Sequence, residues 1–274
     1  MARYPAIEVD GVDPDYLLAT VDDFSPTAVQ DNQPTTTVFF STPAARDKAR
    51  DAIQQAYPSA QITSREVDDE DWARRSQENL SPVAVGRITI HPSRTTWPGD
   101  PDSGLHLLIP PSTGFGTGHH ATTRLCLQAL QEHDLTGASV LDVGTGSGIL
   151  ALAARMLGAS DVTGIDFDAD ALRAARENLT LNPQVGSVRF EHADLRERQR
   201  EDTLADVLVA NLTGALLVAT ADLLIGAVKR DGLMIVSGLL VSEEKEVESA
   251  FAARTRAISR SSDGEWVGLV FQPR

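Results

Sequence analysis

Cysteine is nearly absent from this sequence. The single Cys126 can close no internal disulfide and build no thiolate metal site, and it falls among apolar residues of an expected helix, so it reads as core. Long apolar runs are missing too. The most apolar segment, residues 204–228, is broken by Asp206, Asn211 and Asp222, which marks a buried strand and helix instead of a bilayer span. The N-terminal residues contain no basic stretch followed by an apolar one, so no signal peptide is expected and a cytosolic location follows. Basic residues are scarce: Lys+Arg 24 against Asp+Glu 39 gives a formal charge of −15, with no Lys/Arg cluster to offset it. Such a surface repels nucleic-acid phosphates and anionic lipid, so neither is expected as a partner, whereas a basic protein substrate is compatible with it. No internal repeat or low-complexity tract is present.

What is there is organised around residues 140–152, VLDVGTGSGILAL. A β-branched apolar run ends in an acid, the chain turns on Gly144, Gly146 and Gly148, and a helix-forming run follows at once. Glycines there let the backbone approach a ligand, and the first amides of the helix face whatever sits above the strand. The spacing is G-x-G-x-G, not the G-x-G-x-x-G that seats a pyrophosphate, and Asp142 lies two residues before the first glycine. An acid at that place repels phosphate and suits a cationic amino-acid ligand. The next expected strand, residues 161–165, ends in Asp166, where a carboxylate can take both hydroxyls of a ribose. Asp142, Gly144, Gly146 and Asp166 together suit S-adenosylmethionine. A tight glycine turn without a ligand is the competing reading.

The chain is long enough, at 274 residues, for one α/β domain and a smaller companion. Residues 1–67 carry strand signals at 6–9, 35–40 and 61–67 and a helix over 43–57, the layout of a small α+β, ferredoxin-like split β-α-β sandwich. Nothing in it resembles a reaction site, so it reads as a substrate-recognition module or a structural appendage. Residues 68–98 form a linker and connecting strand, with a short charged helix expected over 68–78. Residues 99–274 alternate strands and helices as a doubly wound, Rossmann-like sheet does. Ligands gather at the carboxyl ends of such strands, where Asp142, Asp166 and Asn211 fall. Asp194 follows a third strand and either reaches an adenine amino group or is a surface acid.

A second glycine-rich stretch, GFGTGHHATT at residues 114–123, opens a helix, and its free amides and hydroxyls can close over a cofactor. His119 and His120 are adjacent and share no helix face, which argues against a metal, and no third ligand of fitting spacing is nearby. A general-base role for either stays open.

These stretches resemble a known family. FGTGHHATT, DVGTGSGILAL, GIDFDADALRAARENLTLN, the ANL at residues 210–212 and the SGLL at residues 237–240 are similar to Rossmann-like S-adenosylmethionine-dependent methyltransferases, and more narrowly to the ribosomal protein L-eleven methyltransferase family. The similarity covers residue 66 to the end; before that only the layout matches. The resemblance implies N-methylation of lysine ε-amines and of the N-terminal α-amine of that ribosomal protein, with the N-terminal domain capturing the substrate. It implies cofactor contacts at Thr123, Gly144, Asp166 and Asn211, and places Phe115 in a cofactor-covering loop. The alternative is a methyltransferase of the same fold acting on another protein lysine or a small-molecule amine; a nucleotide-binding dehydrogenase or a non-catalytic binding module is more distant. Methyl transfer from a sulfonium is an in-line displacement that needs alignment and no protein nucleophile. Asn211, which both donates and accepts, is expected to hold the cofactor or the incoming amine; a strand-end Asn capping its turn is the plainer reading.

Overall fold

The computed structural model describes residues 3–12, 17, 20, 21, 24, 26–32, 35–40, 42–68, 81–97, 104–110, 118–197 and 204–274, with backbone alone for residues 3 and 27–32. The chain divides into two compact units, Met1–Glu78 and Asn79–Arg274.

In the first unit, β1 (Arg3–Asp10), β2 (Pro26–Asn32), β3 (Thr35–Phe40) and β4 (Gln61–Asp68) form an antiparallel sheet of order β2-β3-β1-β4. The helix α1 (Pro43–Ala56) starts on Thr42, whose hydroxyl accepts the Ala45 N–H. Its Ala49 and Ile53 pack on Ile7, Val9, Val38 and Phe40, one face of the sheet. β2 had no counterpart in the sequence reading. Residues 69–80, including the expected linker helix and Trp72, lie outside the described residues.

The second unit contains two sheets. β5 (Val83–Val85), β6 (Ile88–His91) and β7 (Leu105–Leu108) make a separate three-stranded sheet in which β5 and β6 form a hairpin. The sequence suggested one strand there; the turn depends on Gly86 at φ 55, a left-handed conformation that glycine adopts without a Cβ penalty.

The main sheet holds β8 (Ser139–Val143), β9 (Asp161–Asp166), β10 (Arg189–His192), β11 (Ala205–Asn211), β12 (Val228–Leu240), β13 (Thr255–Asp263) and β14 (Trp266–Pro273) in the order β10-β9-β8-β11-β12-β14-β13. The first five in that order are parallel and β14 runs antiparallel to both its neighbours. The helices are α2 (Ala121–Gln131), α3 (Ile149–Met156), α4 (Ala169–Leu181), α5 (Gly214–Gly226) and α6 (Glu244–Ala252). Because successive strand residues point to opposite faces, each strand feeds two cores. Val140, Val207 and Val209 meet Leu127, Ile149 and Leu152 on one side, while Leu141, Leu208 and Ala210 meet Leu217, Leu224 and Phe251 on the other. Cys126 is fully buried in the first of these cores.

Strand order reverses direction between β8 and β11. Helices leave the two strands towards different faces, so a crevice opens at their carboxyl ends.

Candidate functional site

The crevice is built on the turn after β8. Gly144 and Thr145 both donate their amides to the Ile165 carbonyl, at 2.9 and 3.0 Å, and Gly148 donates to Thr145 at 2.8 Å. Gly144, Gly146 and Gly148 have φ of 69, 53 and 80°. At Gly144 a Cβ would also lie 2.5 Å from Leu212 Cδ2, so the residue meets both a conformational and a steric requirement.

Asp142 lies beneath this turn, with no exposure to solvent. Its Oδ2 accepts the Thr145 hydroxyl at 2.6 Å and the Ala151 N–H at 3.1 Å. The N-cap of α3 is Gly148, which has no side chain to offer the orphan amides of the first turn. Asp142 supplies that acceptor from the strand. Its Oδ1 is buried without a partner among the described residues, and burial pushes the carboxyl up to about 7 against the opposing pull of Thr145 and Ala151.

Asp166, at the end of β9, is nearly buried but borders the crevice. Its Oδ2 accepts the Gly146 N–H at 2.9 Å and its Oδ1 the Asp168 N–H at 3.0 Å. A carboxylate has about four acceptor positions, so roughly two remain for a ligand. Asn211 ends β11 and donates its amide to Thr123 Oγ1 at 3.4 Å, which joins the strand to the first turn of α2. Thr123 is buried.

The crevice has two lobes that share Gly144, Leu212 and Leu216. The smaller, about 140 Å³, is bordered by Asp166, Phe167, Ala193, Asp194 and Arg196. The larger, about 260 Å³, is bordered by His120, Thr122, Thr123, Gly146, Asn211 and Trp266 among others. Phe167 is 73% exposed, an unusual state for a phenyl ring, and its position beside the smaller lobe leaves a ring face open to a ligand. Asp194 is held well down, to about 2, by hydrogen bonds from the Arg196 side chain and amide.

Among the described residues, no carboxylate, lysine or arginine borders the larger lobe. His120 caps α2, and its Nδ1 lies 2.7 Å from Thr122 Oγ1 and 3.4 Å from the Thr122 amide. Its ring meets the Trp266 indole edge-on at 4.7 Å. Arg124 fastens this corner by donating to the His119 carbonyl and to Asp263 near the tip of the β13–β14 hairpin. Burial, followed by the Arg124 charge, lowers the His120 pKa below its ordinary 6.5, so the imidazole is neutral at pH 7.

The structure thus brings Thr123, Gly144, Gly146 and Asn211 to one lobe and Gly144 and Asp166 to the other; Asp142 lies under both. Phe115 lies outside the described residues. Phe167 and Trp266 escaped the sequence reading, although Phe167 directly follows the strand-end acid and Trp266 follows an Asp-Gly-Glu turn.

Comparison with known proteins bears on this crevice. The family model described as Ribosomal protein L11 methyltransferase (PrmA) matches residues 15–274. The chain belongs to that family. Within it, the ribosomal protein L11 methyltransferase of Pseudomonas aeruginosa strain PAO1 is 44% identical over 192 residues, covering 69% of this chain and 63% of the relative. That of Janthinobacterium sp. strain Marseille is 37% identical over 227 residues, covering 82% and 72%. The match therefore spans just under two thirds of the Pseudomonas protein's length. Among solved structures, ribosomal protein L11 methylase from Lactobacillus delbrueckii subsp. bulgaricus superposes with a TM-score of 0.64 at 27% identity, covering 71% of this chain and 98% of that one.

Proposed function

We propose that the chain is an S-adenosylmethionine-dependent N-methyltransferase whose substrate is ribosomal protein L11, modified at lysine ε-amines and at the N-terminal α-amine. The observation that carries this reading is the two-lobed crevice itself: one lobe offers a strand-end carboxylate beside an open ring, the other a pocket whose described lining is uncharged and includes Asn211. The residues fit the cofactor. Asp166 retains acceptor positions for two ribose hydroxyls, Phe167 offers a face to a base, and the missing Cβ of Gly144 leaves the backbone open at the junction of the lobes. When bound, S-adenosylmethionine supplies a methyl group on a cationic sulfur, already activated for displacement.

The chain's own task is to align and desolvate an amine. Thr123 and Asn211 orient it, and the described lining of the larger lobe, which holds no counter-ion, favours the neutral form of a group whose pKa in water is about 10.4. Asp142 acts through the loop it braces. We assign residues 1–67 to substrate capture, residues 68–98 to the linker and connecting strand, and residues 99–274 to methyl transfer; the net charge of −15 favours a basic protein partner. A ribosomal substrate puts the reaction in the cytoplasm; among the described residues no helix is long and apolar enough to cross a membrane.

Mass spectrometry of L11 before and after incubation with enzyme and cofactor tests the proposal. Mass gains equal to whole methyl groups, at lysine ε-amines and at the N-terminal α-amine, are expected. An unmodified L11, with label from the cofactor appearing on another protein or a small amine in cell extract, replaces the substrate.

A further inference from the structure

We infer that Thr122 and His120 form a proton relay that removes the proton of the incoming substrate ammonium, an inference that rests on the amine-methyltransferase reading above. The problem they solve is set by the larger lobe. An amine arrives almost wholly protonated at pH 7, and a protonated nitrogen has no lone pair with which to attack. Desolvation lowers the cost of losing the proton but does not say where it goes. Of the described residues bordering that lobe, His120 alone carries an imidazole, the side chain whose ordinary titration falls near neutrality.

The geometry gives the relay a direction. As N-cap of α2, His120 accepts the Thr122 N–H on Nδ1, so the neutral ring carries its lone pair there and its hydrogen on Nε2. The same Nδ1 stands 2.7 Å from Thr122 Oγ1, and with the lone pair on Nδ1 the hydroxyl is the donor. Thr122 borders the lobe. The substrate N–H bond breaks as its proton passes to Thr122 Oγ1, the hydroxyl's own proton passes to Nδ1, and the bond electrons stay on the amine nitrogen as its lone pair. The imidazolium then releases the proton to solvent. Thr122 ends unchanged and each round of methylation consumes one such transfer.

The charged groups around the imidazole favour turnover of the relay. Arg124, on the same helix, disfavours a lasting imidazolium, and its own charge is shared with Asp263 of β13. From β14 the ring meets uncharged Trp266, and the faces supplied by β11, β12 and the glycine turn contribute no charged side chain to the lobe. Thr123, one position on, is engaged with Asn211 and serves orientation instead.

The test uses the full chain, L11 and labelled cofactor. His120→Asn keeps a capping side chain while removing the base, and Thr122→Val keeps the shape of a buried side chain while removing the hydroxyl. For the wild type, kcat/KM should level off once His120 is neutral. Both variants should lose about 100-fold at pH 7 and recover about tenfold per pH unit towards the pKa of the free amine. Thr122→Ser should restore the plateau. Cofactor affinity, read by calorimetry, should be unchanged. An independent readout is the His120 tautomer by nitrogen NMR in the chain alone, expected to be Nε2–H at pH 7. Variant profiles parallel to the wild type, a wild type that itself climbs without a plateau, or an Nδ1–H tautomer overturns the relay. If the wild type transfers no methyl at any pH, it is the functional reading that has failed.

Discussion

Asp166 Oδ2 and the Gly146 amide are 2.9 Å apart, which ties the end of β9 to the middle of the glycine turn. The carboxylate proposed to hold a ligand is therefore also the strut that holds the loop. Asp166→Asn replaces one acceptor oxygen with a donor group facing an N–H. Hydrogen bonds to a charged acceptor contribute about 1.5–3 kcal/mol each. Cofactor affinity measured by calorimetry should fall by at least about tenfold, and hydrogen exchange at the Gly146 amide should quicken. Unchanged affinity would remove Asp166 from the site.

Asp142 makes stability depend on pH in an unusual direction. Its folded-state value of about 7 lies above the ordinary 3.8, so between those values the native chain binds more protons than the unfolded one. Stability from this group is complete below about pH 4 and declines as pH rises through 7, by at most about 4 kcal/mol. Asp206, held down to about 2 chiefly by Lys229, acts with the opposite sign at lower pH and does not overlap this window. Urea unfolding at pH 5 and pH 8 should show wild type weakening across the interval and Asp142→Asn weakening less. Equal slopes for the two proteins would contradict it.

Phe167 is mostly exposed, so its removal costs the fold little. Stacking on a base contributes about 1–3 kcal/mol. Phe167→Ala should weaken binding of S-adenosylhomocysteine about tenfold while leaving the melting temperature in place. A lowered melting temperature with normal affinity would make the ring structural.

Gly238 approaches the chain after β11 so closely that a Cβ would sit 2.2 Å from the Leu212 carbonyl oxygen, and its φ is 92°. Leu212 also donates its amide to Ser237 at 2.9 Å, so neither side can retreat cheaply. Gly238→Ala should destabilise the chain by more than about 2 kcal/mol and displace Asn211. Thermal unfolding and the methyl-transfer rate measure the two effects; a protein of wild-type stability would show that the contact yields.

The parts of the site that the sequence made legible are those where local chemistry and position coincide. Asp166 and Asn211 each close an apolar run, and a polar residue at a buried strand's end faces the crevice by construction. Asp142 shared that signature, yet its capping of α3 could not be read, because the vacancy it fills arises from Gly148 being the N-cap. Edge strands were the main loss in the fold. β13, which reads TRAISRSSD and is mostly exposed, lacks the alternation that burial on one face imposes, and β2 is a similar short polar edge. The Asp-Gly pair at residues 231–232 is by itself a turn signal. In the sheet they lie within β12, where a Cβ on Gly232 would come 2.5 Å from the Asp206 carbonyl; the glycine serves close strand approach.

The position of β14 between β12 and β13 has a consequence for biogenesis. β13 precedes β14 in the chain but can join the sheet only through it, so a growing polypeptide carries β13 unpaired until its successor has left the exit tunnel. Truncation before Trp266 would leave β12 with a naked backbone edge, a template for association between unfinished chains. Completion of the seven-stranded sheet thus waits for β14, and anything that shields β12 during synthesis must depart before β14 can insert.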